Sequence, residues 1–512
     1  MLTGSSIEVK LTEYPTLHDI RHLENFIAEF EFNNMKKIFF LIVAFLLFQN
    51  TFLLIEVVPD TYNCSLAEGI TLIQKINKEE PLVINFIKIN FKTAAVYLQT
   101  ALAGNDFIYT KNNSKGRETL QELVIRKEAL AGINADYFPY TGDPLSLMIR
   151  DSELISESMP NRVAMAITLD QKIYFDTFIT NMFLSINENG NLEINGINRT
   201  AKKNELIVLT PTFGDLNILK KNYLYIVVSN VNLPVQVGKE VKGVVTSITY
   251  EKVLSKVPSE SMIILVGEEQ IPDLKNKIKV GDKIILISDL KASINDFDTS
   301  KIAQAIGGGP WLIKNGQKYI DYEKENFKLH EFVNKRHPRT AIGTNSDGDL
   351  YFITVDGRSK NSKGVSLSEL ADILLGLNIT NAINLDGGGS TSLVIKNIYI
   401  NQPSDKTPRE IANAILIYAA DASEIEPSES MIEGNQQKDL IMTMPETNLV
   451  LNQTINLTLP EDAEKENLLW GTQEGKFFVS QKGELMTIGI GSGTAIAISK
   501  SNKKYYFPFK IF

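Results

Sequence analysis

Two strand-like runs in this chain end on an acid followed by glycine. Leu350–Val355 leads into Asp356-Gly357-Arg358, and AINL at 382–385 leads into Asp386-Gly387-Gly388-Gly389-Ser390. A carboxylate at such a position can activate water or form a covalent bond at an electron-poor carbon. An arginine beside it offers a planar fork of donors suited to phosphate. Successive glycines let the backbone approach a bound group closely and aim N–H groups at an anion. Arg339 and Thr340 form a second Arg-hydroxyl pair ahead of another apolar run, and AIGGGPWL holds Gly308 and Gly309 in a second glycine-rich turn. INADYF sets Asn134 and Asp136 beside two aromatics. On these types and spacings Asp386, Asp356, Arg339 and Arg358 are the candidates for bond cleavage. Asn134, Asp136, Gly308, Gly309, Thr340, Gly387, Gly388, Gly389 and Ser390 are the candidates for substrate contact.

The elements that must position them are legible around 350–395. Leu367, Leu370, Ala371, Leu374 and Leu375 have the spacing of one buried helical face. Ser366 with Glu369 three residues on reads as a capping box, which accounts for Glu369 as a support rather than a reacting group. Asn384, Ser404 and Asn413 are likewise assigned to support by hydrogen bonding. Strand, helix, strand is a crossover unit that normally makes its two strands parallel. The sequence therefore predicts Asp356 and Asp386 side by side at one sheet edge, where open sheets bind ligands.

Composition narrows the chemistry. The chain has 512 residues, 43% of them hydrophobic, and a formal net charge of -9 without a dense basic run, which argues against a nucleic-acid surface. Cys64 is its one cysteine, so neither an intrachain disulfide nor a cysteine zinc site can form. Its four histidines are His18, His22, His330 and His337, too few and too scattered for a histidine metal centre. Catalysis is thus expected from carboxylates without a cofactor. A divalent-metal phosphodiesterase with Asp136, Asp356 and Asp386 as ligands is the enzymatic alternative, and a non-catalytic glycopolymer-binding envelope protein is the other.

Along the chain, residues 35–48 read MKKIFFLIVAFLLF, two lysines before an apolar run, so 35–62 is read as a signal peptide or membrane anchor and the protein as exported. Residues 1–34 read as a start upstream of the true one or as a disordered leader. The main domain is placed at 81–420, with a β-rich insertion at 183–290 marked by short β-prone pieces between Gly, Pro, Asn and Asp. Residues 421–437 are polar and acidic and read as a linker. Residues 438–512 alternate like a small β-sandwich. The expected fold class is α+β: a mixed-sheet catalytic domain carrying a β-rich insertion, followed by a small all-β immunoglobulin-like sandwich.

INADYF, GDPLSLMI, AIGGGP, RTAIG, VDGR, SLSELADILLGL, NLDGGGSTSL, NQPSD and REIANAI follow one another in the order found in phosphodiester glycosidase domains, which residues 94–418 resemble. The tail, with SQKGELMTIGIGSGTAIAISKS, resembles bacterial group-2 immunoglobulin-like domains. The first resemblance implies hydrolysis of the bond between a sugar's anomeric carbon and a phosphodiester, on a glycosyl phosphodiester or envelope glycopolymer. The second implies a spacer or a cell-surface contact. Asn134 is followed by Ala135-Asp136, where many members of the family have a glycine pair or Gly-Asp.

Overall fold

Alternation with a period of two builds the first sheet. Its strands are β1 (Asp60–Ala67), β2 (Ile70–Asn77), β3 (Leu82–Ile89), β4 (Trp311–Lys314), β5 (Gln317–Lys318), β6 (Arg339–Asn345), β7 (Leu350–Val355) and β8 (Ile379–Asn384). They lie in the order β1-β2-β3-β7-β6-β8-β4-β5, and every pairing is antiparallel. In β7, Leu350 and Phe352 enter the core shared between sheets, while Tyr351, Ile353 and Val355 face the helix Leu367–Leu375. Both faces are covered, which is why this strand reads as an unbroken apolar run. The structure is a computed structural model and describes residues 60–110, 116–219, 223–250, 254–327, 330–405, 407–420, 440–442, 449–487 and 489–512.

A second sheet contains Val96–Leu102, Ala131–Asn134, Leu393–Ile395 and Asn413–Ala419, with the helix Leu120–Arg126 on its outer face. A third joins Met148–Arg150, Val163–Thr168 and Ile302–Gly307, then runs on through the long strand Ile173–Ile186 into the insertion. The second half of that strand pairs with Lys283–Ala292 over residues 178–186, so the insertion is grown onto the third sheet rather than hung from it. Side chains of all three sheets meet in one core around Ile133, Met165, Ile306, Phe352, Ile383 and Ile415. Burying each such side chain contributes about 1.5–3 kcal/mol before the entropy of ordering it is counted.

Two expectations change here. The chain is mostly β, with helices confined to short pieces such as Leu367–Leu375 and Leu120–Arg126, so α+β overstates the helical share. β7 and β8 do run the same way, but β6 lies between them and pairs with both, so the two acid-bearing ends are not adjacent. The tail has a core of its own, with Trp470, Phe477, Leu485 and Phe507 among its members, and it is also joined to the body. Leu469–Thr472, Gly491–Ile498 and Lys504–Ile511 extend the second sheet through the Tyr399↔Thr472 pairing, and Pro59–Phe512 forms one compact unit. Edge strands seek a partner for their open N–H and C=O groups, and the tail supplies it. Residues 1–34, the linker at 421–437 and all of the signal or anchor at 35–62 but its last three residues, which open β1, lie outside the described residues.

Candidate functional site

The start of β6 lies between the ends of β7 and β8, because Arg339 pairs with Val355 and Ala341 with Asn384. This brings Arg339, Asp356 and Asp386 to one edge. Across it stands the end of the strand Ala131–Asn134. Asn134 is fully buried and donates from Nδ2 to the Asp386 carbonyl at 2.6 Å, while its Oδ1 accepts from Thr340 Oγ1 at 2.9 Å and Ser392 N at 3.0 Å. One asparagine thus ties two sheets together at the glycine loop. Thr340, also buried, is spent on that tie.

Asp386 is half-buried at the start of the loop. Burial pushes its carboxyl up to about 6, opposed by the Ser390 hydroxyl, the Arg409 charge and the Gly387 N–H. Gly388 holds φ +63, and a β-carbon there would stand 3.1 Å from Arg358 Nη2. Gly389 is closer still to its neighbours: a β-carbon would meet Arg409 Nη2 and Asp405 Oδ2, which pair at 2.8 Å. The glycines therefore let two arginines close over the loop. Arg358, itself at φ +58 and exposed, reaches Ser404 Oγ at 3.4 Å and His337 Nδ1 at 3.2 Å. Burial, then Arg339 and Arg358, lower the His337 pKa.

Asp356 is deeply buried at the end of β7. Its Oδ2 accepts from Gln402 N at 3.0 Å, and its Oδ1 has no hydrogen-bond partner among the described residues. Burial pushes the carboxyl up to about 7, against the pull of the Gln402 N–H and the Asn401 side chain. Asp136, equally buried, accepts from Tyr137 N at 2.8 Å and Ser146 N at 3.1 Å. Burial raises it to about 7, opposed first by Arg162 and reinforced by Asp386. Carboxyls poised near neutrality in one region are the condition for dividing acid and base roles.

Other candidates stand differently from expectation. Arg339 spends its fork on backbone: Nε donates to Val365 O at 3.0 Å, and Nη2 to Phe332 O at 2.7 Å and Lys335 O at 3.0 Å. Burial lowers its pKa to about 10. Gly308 N donates to Val163 O and Gly309 N to Asn384 O, so neither amide is turned to a ligand. A β-carbon on Gly309, at φ +112, would stand 2.6 Å from Glu325 Oε2, so this turn is glycine for packing. Glu369 closes its capping box with Ser366 and pairs with Arg336 on the surface, outside the site. Asn384 donates to Tyr137 Oη at 2.6 Å, and Asn413 Oδ1 accepts from Asp136 N at 2.6 Å.

Sequence reasoning missed Tyr137, Arg162, Glu325, Gln402 and Arg409. Arg162 is buried with its guanidinium 4.1 Å from the Phe327 ring and 5.6 Å from the Tyr137 ring, and its Nε has no partner among the described residues. Glu325 accepts from Trp311 N and Val163 N, and burial raises it to about 7. Tyr137 lay inside a motif already noted, but nothing in the spacing points to Arg162 or Glu325. No three His, Cys, Asp or Glu converge as a metal site among the described residues, so Asp136, Asp356 and Asp386 are not the ligand cluster that the metal alternative requires. A groove of ≈ 550 Å³ near Lys88, Asn345 and Asn378 contains none of the motif residues.

The phosphodiester glycosidase family model matches residues 237–418, a stretch that includes Arg339, Asp356, Arg358 and the whole Asp386 loop but not Asn134 or Asp136. Human N-acetylglucosamine-1-phosphodiester alpha-N-acetylglucosaminidase is 35% identical over 130 residues, covering 22% of this chain and 25% of that enzyme. The match thus spans about a quarter of that relative's length. A hypothetical protein from Synechocystis superposes with a TM-score of 0.57 at 23% identity, over 70% of this chain and 64% of that one. An exported protein described as putative from Burkholderia pseudomallei gives 0.51 at 18% identity, over 66% and 74%. These two structures show a shared fold and nothing further.

Proposed function

We propose that this chain hydrolyses the bond between a sugar's anomeric carbon and a phosphodiester. The observation that carries the reading is the meeting of Asp386, Arg358, His337 and Arg409 around the Gly387–Gly389 backbone, inside the segment matched by the family model. A departing phosphodiester is a weak base and needs its charge stabilised more than it needs a proton. Arg358 and Arg409 are placed for that on the rim. Asp386, at the head of the glycine loop and less buried than Asp136 and Asp356, is the group that attacks the anomeric carbon or activates water. Asp356, with one oxygen unbonded, holds or returns the proton. N-acetylglucosamine is the sugar that the human relative's name supports.

The basic-then-apolar opening at 35–48 supports export and envelope substrates, with 35–62 as signal or anchor and the tail as a surface contact. The test of the reaction is turnover of UDP-N-acetylglucosamine in isotopically labelled water. Attack at carbon puts the label on the released sugar and leaves phosphate unlabelled. Label on phosphate would mean attack at phosphorus and would sink the reading.

A further inference from the structure

The C-terminal residues reach Asp356 and the strand that ends on it by three separate routes. The first is a buried chain of polar groups. Gln481 N donates to Gln74 Oε1 at 2.8 Å, Gln74 Nε2 to Asn85 Oδ1 at 2.8 Å, and Asn85 Nδ2 to Thr354 Oγ1 at 3.4 Å, two residues before Asp356 on β7. Gln481 is itself clamped at both ends by Trp470, accepting from its N–H at 3.0 Å and donating to its carbonyl at 2.6 Å. A buried polar chain of this kind holds only if every member is satisfied, so it fixes the register of the strands it crosses.

The second route is apolar. Phe478 and Met486 pack on Ile76 and Val83. Val83 O accepts from Asp356 N at 3.0 Å, and Val83 N donates to Ser362 Oγ at 3.1 Å, which in turn donates to the Asp356 carbonyl at 2.6 Å. The third route runs through the loop that follows Tyr399. Gln402 N donates to Asp356 Oδ2, and Gln402 Nε2 donates to Lys476 O at 3.0 Å. Gly475, at φ +65, lets the tail lie against Pro408 and Tyr399, which a β-carbon would approach to 2.9 and 3.0 Å.

We infer that residues 469–487 act as a positioning module for Asp356, so that the tail, sequence-distant from the motifs, sets the placement of an active-site acid. The inference deepens the hydrolase reading and rests on it for its kinetic test. Gln481, Met486, Phe478 and Gln402 are positioning residues on this view; none touches the reacting atoms. A spacer that merely shared a core would need contacts with the body, but not three that converge on one residue and its strand, by way of Thr354, the Asp356 backbone and the Asp356 carboxylate.

The full chain is compared with Gln402→Ala, Met486→Ala and Asn502→Ala. The last removes a different bond between tail and body, from Lys396 Nζ at 2.6 Å. Two measurements are made on each: kcat and KM on UDP-N-acetylglucosamine across pH, and titration of the Asp356 carboxyl by carbon NMR. No charged side chain is among the groups that shift this acid, so its titration reports burial and its two hydrogen-bonding neighbours. Gln402→Ala and Met486→Ala should each lower kcat about tenfold with KM nearly unchanged, the effect of one loosened contact in the transition state. Both should also raise the Asp356 titration, while Asn502→Ala changes neither quantity. Wild-type kcat and an unmoved titration in the first two variants, or an equal loss in Asn502→Ala, would overturn the positioning role. If the wild-type chain does not turn the probe over, the hydrolase reading fails and the titration alone decides the positioning.

Discussion

The floor and the rim of the site are built from the same residue types and use their arginines in opposite ways. At the floor, Gly307–Gly309 give their amides to neighbouring backbone and Arg339 gives its fork to three carbonyls. At the rim the Gly388 amide likewise goes to Pro338 O, but Gly388 and Gly389 leave room for Arg358, which is exposed, and Arg409, which is part-exposed and paired with Asp405. The difference teaches that a motif marks where backbone and charge come close, and burial decides whether they serve the fold or a ligand. A buried donor without a partner costs more than the bond it would make, so floor groups are consumed internally. Exposed donors keep their water until something better arrives.

The sharpest break of this comparison is at the rim acid. Asp386→Asn keeps shape and removes charge, so turnover should fall about a thousandfold, the scale of a lost nucleophile or base, with an unchanged circular dichroism spectrum. Near-wild-type turnover in that folded variant would move the chemistry to Asp136 or Asp356. The glycine turns come next. Gly309→Ala must place a β-carbon at φ +112 against Glu325 and should cost about 3 kcal/mol or more in urea denaturation, by strain and overpacking together. Gly388→Ala, at φ +63 with only a flexible guanidinium to displace, should cost about 1 kcal/mol and lower kcat/KM through Arg358. Equal stability losses at the two positions would erase the distinction between floor and rim.

The two arginines should separate in the same way. Arg339→Lys leaves buried carbonyls without donors and should lose about 2 kcal/mol of stability. Arg358→Lys should leave stability unchanged and lower kcat/KM about tenfold, because an ammonium cannot reproduce the fork. A kinetic effect confined to Arg339→Lys would reverse these assignments. The smallest effect is on the pH dependence of stability. Burial raises Asp136 from 3.8 to about 7, so the folded state keeps a proton that the unfolded chain releases near pH 4. That contribution is fully present below the unfolded value and is lost as pH rises through about 7. Calorimetry should therefore show Tm falling between about pH 4 and pH 7, and a shallower fall in Asp136→Asn. Identical slopes would mean that Asp136 is ionised when folded.

Much of the chemistry was open to reading from the chain alone. The acid-glycine endings of two apolar runs, the capping box of Ser366 and Glu369 and the helix Leu367–Leu375 are local patterns, and the structure contains each of them. Local patterns report the elements because hydrogen bonds within a helix turn and alternation along a strand depend on near neighbours in sequence. The placement of β6 between β7 and β8 was not legible, since a crossover helix specifies direction but not how many strands it passes. Arg162 and Glu325 carried no spacing signal, because their partners Phe327, Trp311 and Val163 come from separate elements.

The sequence by itself determined the inventory: carboxylates in place of a cysteine or histidine centre, arginines and glycines at strand ends, and β-prone pieces throughout. Tertiary structure decided which of these groups were already spent. Whether Arg339 serves phosphate or backbone depends on carbonyls 4, 7 and 26 positions away on other elements, and whether the Gly308 and Gly309 amides are open or the tail holds Asp356 in place depends on contacts still more distant in sequence. Such contacts set burial, and burial sets both the cost of an unpaired polar group and the pKa of an acid. No window of sequence short enough to show a pattern contains them.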